Sequence, residues 1–215
     1  ASFTATGTGG AVTLGDGLNG VTNLSIDTVG SLAVTGDGST ALTDLTIAMD
    51  PATAADSTYA LTNFTGVTLA LTDAGSDLSL GANTLPVNFA LTAKSGNIVD
   101  TGAVDITGTS SFTTQGTDAT INLGTLQSNG AITLSTTGSS GDATIVNDSA
   151  VVLGASTVGG SLDVTATAGS ITDSGAVTVG SGASFTATGT GGAVTLNDGL
   201  NAVTNLSIDT VGSIA

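Results

Sequence analysis

Seventeen aspartates, one lysine (Lys94) and one tyrosine (Tyr59) are the side chains of this sequence that could move a proton, since it contains no Glu, Arg, His or Cys. General acid–base work at neutral pH needs a group poised near that pH, which neither a lone lysine in Ala93-Lys94-Ser95-Gly96 nor a lone tyrosine provides. Two aspartates held about 5–9 Å apart would be the arrangement that hydrolyses a glycosidic bond. Serines abound, yet without a histidine or a second cation none gains an activating base. The Gly7-Thr8-Gly9-Gly10 stretch has neither the lysine nor the following helix of a phosphate-binding loop. The reading is therefore no catalytic residue, no cofactor and no enzyme.

Transition metals lose their imidazole and thiolate ligands here, which leaves calcium, an ion that takes carboxylate and carbonyl oxygens. Asp16, Asp37 and Asp198 sit in Gly-Asp-Gly or Asn-Asp-Gly turns. No calcium-roll nonapeptide or EF-hand spacing surrounds them, so the favoured reading is turn aspartates that bond their own backbone, with at most weak calcium binding. Asn23, Asn63, Asn147 and Asn205 each head an Asn-x-Ser/Thr triplet, a pattern that a Ser/Thr-rich chain produces by chance.

The elements that would position such residues are strands. Gly, Thr, Val, Ile and Ser dominate the composition and polar helix formers are nearly missing, which favours pleated strands joined by tight turns. A hydrophobic share of 40%, arranged in regular alternation, separates the chain from disordered Gly/Ser/Thr-rich sequences. A net charge of −16 with a single Lys excludes the basic patch that nucleic acid requires. No apolar run is long enough for a membrane-spanning helix, so direct membrane insertion is not expected either. The opening ASFTATGTGG has no basic or apolar signal segment, which places any export signal outside this window.

The stretch at 1–33 returns at 183–215 with only Gly15→Asn197, Gly20→Ala202 and Leu32→Ile214 changed. Near-identity at that distance is tandem duplication. The expectation is one continuous unit over 1–215, with a long period at 1–182 and the next copy starting at 183, in a polypeptide that extends past both ends.

A shorter period lies inside the long one, marked by apolar pairs at Phe3/Ala5, Leu24/Ile26, Leu45/Ile47, Leu69/Leu71, Phe89/Leu91, Phe112/Thr114, Ile132/Leu134, Leu162/Val164 and Phe185/Ala187. The steps from Phe3 to Phe185 average about 23 residues, a length at which repeats stack as solenoid coils. Leu162-x-Val164, Gly169, Ile171, Gly175 and Val177-x-Val179 describe one coil of two or three short strands with glycine at its corners. Stacked about 4.8 Å apart, such coils would advance roughly 38 Å per long period. Met49–Tyr59 reads as a bulged loop or short helical excursion, and Gly138–Gly160, in the longest coil, as a second lateral projection.

GSLDVTATAGSITDSGAVTVGSGASFTATGTGGAVTL at 160–196 resembles the haemagglutinin-type β-helix repeats of large bacterial exoproteins and the passenger repeats of autotransporter-like adhesins. That resemblance covers most of the chain apart from 48–66 and 138–160. It implies an all-β, right-handed parallel β-solenoid at the cell surface, with adhesive or fibre-forming work and partners that are copies of itself, surface glycans or other cells. The near absence of cations departs from the family pattern, so partner specificity does not carry over.

Two alternatives accommodate the same periods. One is tandem calcium-bridged Ig-like domains of about 91 residues, half the long period. The other is an ice-binding solenoid presenting Thr4, Thr6, Thr8 and Thr186, Thr188, Thr190 outward. The charge adds one expectation of its own. Along a rod of about 4.8 Å per coil, sixteen net charges fall roughly 3 Å apart, so copies repel one another until salt or divalent cations screen them.

Overall fold

The computed structural model describes residues 88–93, 96–212 and 214, together with the nine strands that precede them. Those nine are β1 (Ser2–Ala5), β2 (Val12–Leu14), β3 (Asn23–Thr28), β4 (Leu32–Thr35), β5 (Asp44–Met49), β6 (Ser57–Thr62), β7 (Thr68–Asp73), β8 (Leu78–Leu80) and β9 (Asn83–Leu85). Eight follow as β10 (Phe89–Ala93), β11 (Ile98–Asp100), β12 (Val104–Ile106), β13 (Ser110–Thr117), β14 (Ile121–Ser128), β15 (Ala131–Thr137), β16 (Ala143–Asn147) and β17 (Val151–Leu153). The last eight are β18 (Ser156–Val158), β19 (Leu162–Ala166), β20 (Ile171–Asp173), β21 (Val177–Val179), β22 (Gly182–Ala187), β23 (Val194–Thr195), β24 (Leu200–Asn201) and β25 (Asn205–Thr210).

Every strand pairing among the described residues is parallel, and the chain alternates between two sheets as it climbs. Sheet A stacks β1, β3, β5, β7, β10, β13, β15, β17, β20 and β23; sheet B stacks β2, β4, β6, β8, β11, β14, β16, β19, β22 and β25. This is a parallel β-solenoid, and it excludes tandem Ig-like sandwiches, whose strands pair antiparallel.

The core follows from alternation. In β10, β12, β16, β19 and β22 every second side chain is buried, as it is in β13 up to Thr114 and as strand geometry requires when one face meets an interior. Columns of like residues result, such as Leu91–Phe112–Leu134 on sheet A and Val164–Phe185–Ile208 on sheet B. Stacking is what buries them: Leu162 is 1% exposed, whereas Leu206, two rungs on in the same column and on the last described coil, is 53% exposed.

From β7 to β25 the register steps between neighbouring coils are short; Ala143 pairs with Leu162 and Ile98 with Ile121. The coil is about 21 residues, shorter than the length expected from the apolar pairs. The cause is the long step from Ile132 to Leu162. Ile132 lies in β15 of sheet A and Leu162 in β19 of sheet B, so that step is a coil and a half and not one swollen coil.

Gly138–Gly160 is consequently no projection, for it holds β16, β17 and β18 in ordinary register. Part of the other irregular stretch is also regular. Ser57, Thr58 and Tyr59 open β6, where Tyr59 pairs with Leu32 and Leu80, and Met49 closes β5; residues 50–56 lie outside the described residues. The longer step from Leu32 to Tyr59 absorbs the extra residues between β4 and β6 without breaking the ladder.

Corners stack as tightly as strands. A Cβ built on Gly159 would lie 2.3 Å from the Gly138 carbonyl oxygen, and one on Gly180 would lie 2.1 Å from that of Gly159. Only glycine lets three successive corners approach this closely. Gly159→Ala is therefore expected to cost about 2 kcal/mol by overpacking, seen as a lower urea midpoint.

Candidate functional site

Aspartates at the corners tie consecutive coils together. Asp100, at the end of β11, accepts hydrogen bonds from the backbone N–H of Gly124 (2.9 Å) and Thr125 (2.7 Å) and from the Thr125 hydroxyl (2.9 Å), all one coil further on. Asp173, at the end of β20, accepts from the N–H of Asn197 (2.8 Å) and Asp198 (2.9 Å) in the same way. Asp118 receives the Ser140 N–H at 2.9 Å and Asp142 the Ser161 N–H at 2.7 Å. These carboxylates satisfy amides 19 to 25 residues ahead, because the stacked corner brings that backbone close.

Charge-assisted bonds of this kind contribute most where water is partly excluded. Asp173→Ala is expected to cost about 1–2 kcal/mol, with faster amide hydrogen exchange confined to Asn197 and Asp198. Unchanged exchange at those two amides would show that the carboxylate does not hold the next corner.

The other candidate residues fall in several places. Asp198 lies exposed in the turn between β23 and β24, donating its own N–H to Asp173, while Asp16 and Asp37 lie outside the described residues. Among the described residues no group of three or more potential ligand side chains gathers to hold a metal ion. Lys94 lies outside the described residues; Tyr59 occupies β6.

Asn147 is fully buried and its Nδ2 donates to Ser128 O (2.9 Å), Ala150 O (2.9 Å) and Ser149 Oγ (3.1 Å), so in the fold it is a structural amide closed to glycan attachment. Asn205 is exposed, Asn23 lies in β3, and Asn63 is outside the described residues.

The threonines expected to form an outer rank do not share one strand face. Thr186 points outward from β22, but Thr188 lies beyond the strand, its hydroxyl 3.4 Å from the Thr167 carbonyl, and Thr190 is in the turn. Thr4 lies in β1, and Thr6 and Thr8 are outside the described residues.

An outer hydroxyl column does exist, running across coils and not along a strand. Thr92, Thr113, Ser135, Thr157 and Thr178 are register partners on five successive coils of sheet A. In register that column continues through Thr72 and Ala48 to Asp27, and the columns of sheet B mix the same residue types: Asp163 lies between Thr144 and Ser184, and Asp209 follows Thr165 and Thr186. Nothing in one strand's pattern signals this; it follows from which strands become neighbours.

A solenoid whose corners are tied by side chains from the preceding coil belongs to the class of β-helical repeat proteins. The chain belongs, more specifically, to the family described as repeats of unknown function (DUF5649), whose model matches residues 65–135 and 140–210. No curated protein and no solved structure matches it.

The two matched stretches explain the clamps. FALTAKSGNIVDTGAVDITGTSSFTT at 89–114 is echoed by LDVTATAGSITDSGAVTVGSGASFTA at 162–187, which makes Asp100 the counterpart of Asp173. Asn97 and Ser170 are counterparts too, accepting the N–H of Thr120 (2.7 Å) and Ala193 (3.1 Å) respectively. Yet β10 lies in sheet A and its counterpart β19 in sheet B, while β11 and β12 lie in B and their counterparts β20 and β21 in A. One family repeat therefore spans three and a half coils, and the next presents the same residues from the opposite sheet. The long period obeys the same rule, since β1 lies in sheet A and its copy β22 in sheet B, eight and a half coils on.

Proposed function

We propose that this chain is a structural rod segment of an extracellular surface fibre, adhesive in its setting and not an enzyme. The observation that carries the reading is continuity: two parallel ladders run from β1 to β25 with a register partner at every coil. Such a column transmits load along its axis through main-chain hydrogen bonds, and each coil depends on its neighbours for burial. The aspartate clamps support the same reading, because carboxylates that hold the next corner's amides serve cohesion, whereas a glycosidase dyad must aim two carboxyls at one substrate. Copies of the chain, surface glycans or other cells are the partners this role implies.

Electron microscopy of four long periods in tandem tests it. At eight and a half coils per period and about 4.8 Å per coil, rods roughly 165 Å long are expected. Globular beads on a string would overturn the reading, and polysaccharide turnover abolished by Asp→Asn change would replace it with an enzyme.

A further inference from the structure

We propose that a groove on the outer surface, spanning β14 and its neighbours β12 and β16, is a docking site for an extended segment of a basic protein, which lays a lysine side chain into it. The groove has a volume of ≈ 330 Å³. Ala103, Gly124, Leu126 and Val146 give it an apolar lining, and Gln127 and Asp148 add polar groups. The absent side chain at Gly124 helps to keep it open, and the fold does not ask for glycine there. INLGT at 121–125 is echoed by VTLND at 194–198, so Asn197 is the counterpart of Gly124. Asn197 donates its N–H to Asp173 as Gly124 donates to Asp100. A Cβ on Gly124 would meet only the Asp100 Oδ1, at 3.8 Å, an ordinary contact. The glycine therefore leaves space that the corner itself does not need.

Unused carboxylates define the occupant. Asp100, Asp118, Asp142 and Asp173 are taken up by amides of the next coil, whereas the Asp105 and Asp148 side chains have no hydrogen-bond or ion-pair partner among the described residues. Asp148 lines the groove, and Asp105 is the register partner of Gln127 one coil below. The clamp Asp100 recurs as Asp173, but Asp105 gives way to Thr178 at the equivalent position, so the ladder holds without it. An apolar trough beside a carboxylate matches lysine, whose aliphatic stem packs while its ammonium stays in water next to the charge. The Gln127 amide has no hydrogen bond among the described residues, which leaves it to donate to and accept from the backbone of an extended peptide. A volume at the small end of the roughly 300–1,000 Å³ of ligand sites suits one such side chain with its flanking backbone. The net charge of −16 draws basic partners in. A second copy is a poor source of the cation, since the chain has Lys94 alone.

The test is fluorescence titration of the whole chain, at low and at physiological salt, with a labelled, end-capped Thr-Lys-Thr-Lys-Thr peptide and with the same peptide acetylated on both lysines. Saturable binding of the first is expected, with the acetylated peptide about tenfold weaker. Filling the groove with Gly124→Val should raise Kd about tenfold by steric exclusion at unchanged charge. Asp105→Asn/Asp148→Asn should raise it about fivefold. The charge-matched pair Asp198→Asn/Asp209→Asn, at exposed aspartates away from the groove, should change it less than about twofold, because screening confines their influence. Because valine could disturb the Asp100 clamp, Gly124→Asn, the side chain that the equivalent bond already carries at Asn197, is a second filling variant and should weaken binding in the same direction. Undiminished binding to both filled variants, or equal losses from the two aspartate pairs, would overturn the proposal and leave only general attraction between opposite charges. Equal binding of the acetylated peptide would give the groove to a partner of other chemistry, and no saturable binding at either salt would remove the site. These titrations read the groove and not the shape of the rod, so beads in the microscope would retire the rod while the groove stands or falls on its own.

Discussion

Replacing Asn147 by alanine is expected to lower stability by about 4 kcal/mol, among the largest effects available to one polar residue. The side chain stands in for a missing piece of backbone. At the end of β16 its Oδ1 accepts the Ser128 N–H at 2.7 Å and its Nδ2 donates to the Ser128 carbonyl at 2.9 Å, the pair of bonds a neighbouring strand would supply. The same Nδ2 holds the Ala150 carbonyl at 2.9 Å and so closes the corner into β17. Truncation strands these groups out of reach of water, and each buried orphan costs about 1–3 kcal/mol. Asn147→Asp should be at least as harmful at neutral pH, because it keeps the acceptor but turns carboxylate oxygen toward two carbonyls. Urea unfolding measures both; a loss under about 1 kcal/mol for the alanine variant would mean that water replaces the amide.

Phe112→Ala is expected to cost about 3–5 kcal/mol, the usual range for emptying a fully buried aromatic site. Phe112 has no exposed surface, stacks between Leu91 and Leu134, and meets Phe89 edge to face with ring centroids 5.8 Å apart. Phe185 sits equally deep between Val164 and Ile208 with a chain of aliphatic neighbours, so Phe185→Ala should cost about 1 kcal/mol less, lacking the aromatic pair. Phe112→Leu should recover most of the loss. Since each coil is buried by its neighbours, the Phe112 cavity should also speed amide exchange in β10 and β15 before it does so in β22. A variant that loses protection evenly from β10 to β25 would instead show the rod unfolding as one unit.

Much of the fold is legible in particular residues. Leu162-x-Val164 and Val177-x-Val179 announce strands with one buried face, and Gly169 and Gly175 between them announce corners. Asn147, however, reads as the head of a glycosylation triplet, because a sequence displays a residue's type and not its burial. Ile132 and Leu162 read as successive rungs of one ladder because the inward side of a strand looks the same whichever sheet it joins. Asp100 and Asp173 share the spacing Ile-x-Asp-x-Gly-Ala-Val, which marks them as equivalent without saying that they reach the following coil.

What the sequence determined by itself was the coil and its reiteration: strand composition, alternation, glycine corners and the duplication, all properties visible in the order of residue types. What the tertiary structure decided was adjacency from one coil to the next: the half-coil exchange between repeats, the amides each aspartate holds, and which residues line up in one column across the coils. The physical reason is that facing inward or outward is set by the two-residue period of a single strand, whereas the neighbour above is set by the summed length of every turn in between. One residue more or less in a corner leaves the local pattern intact and changes what stands beside it.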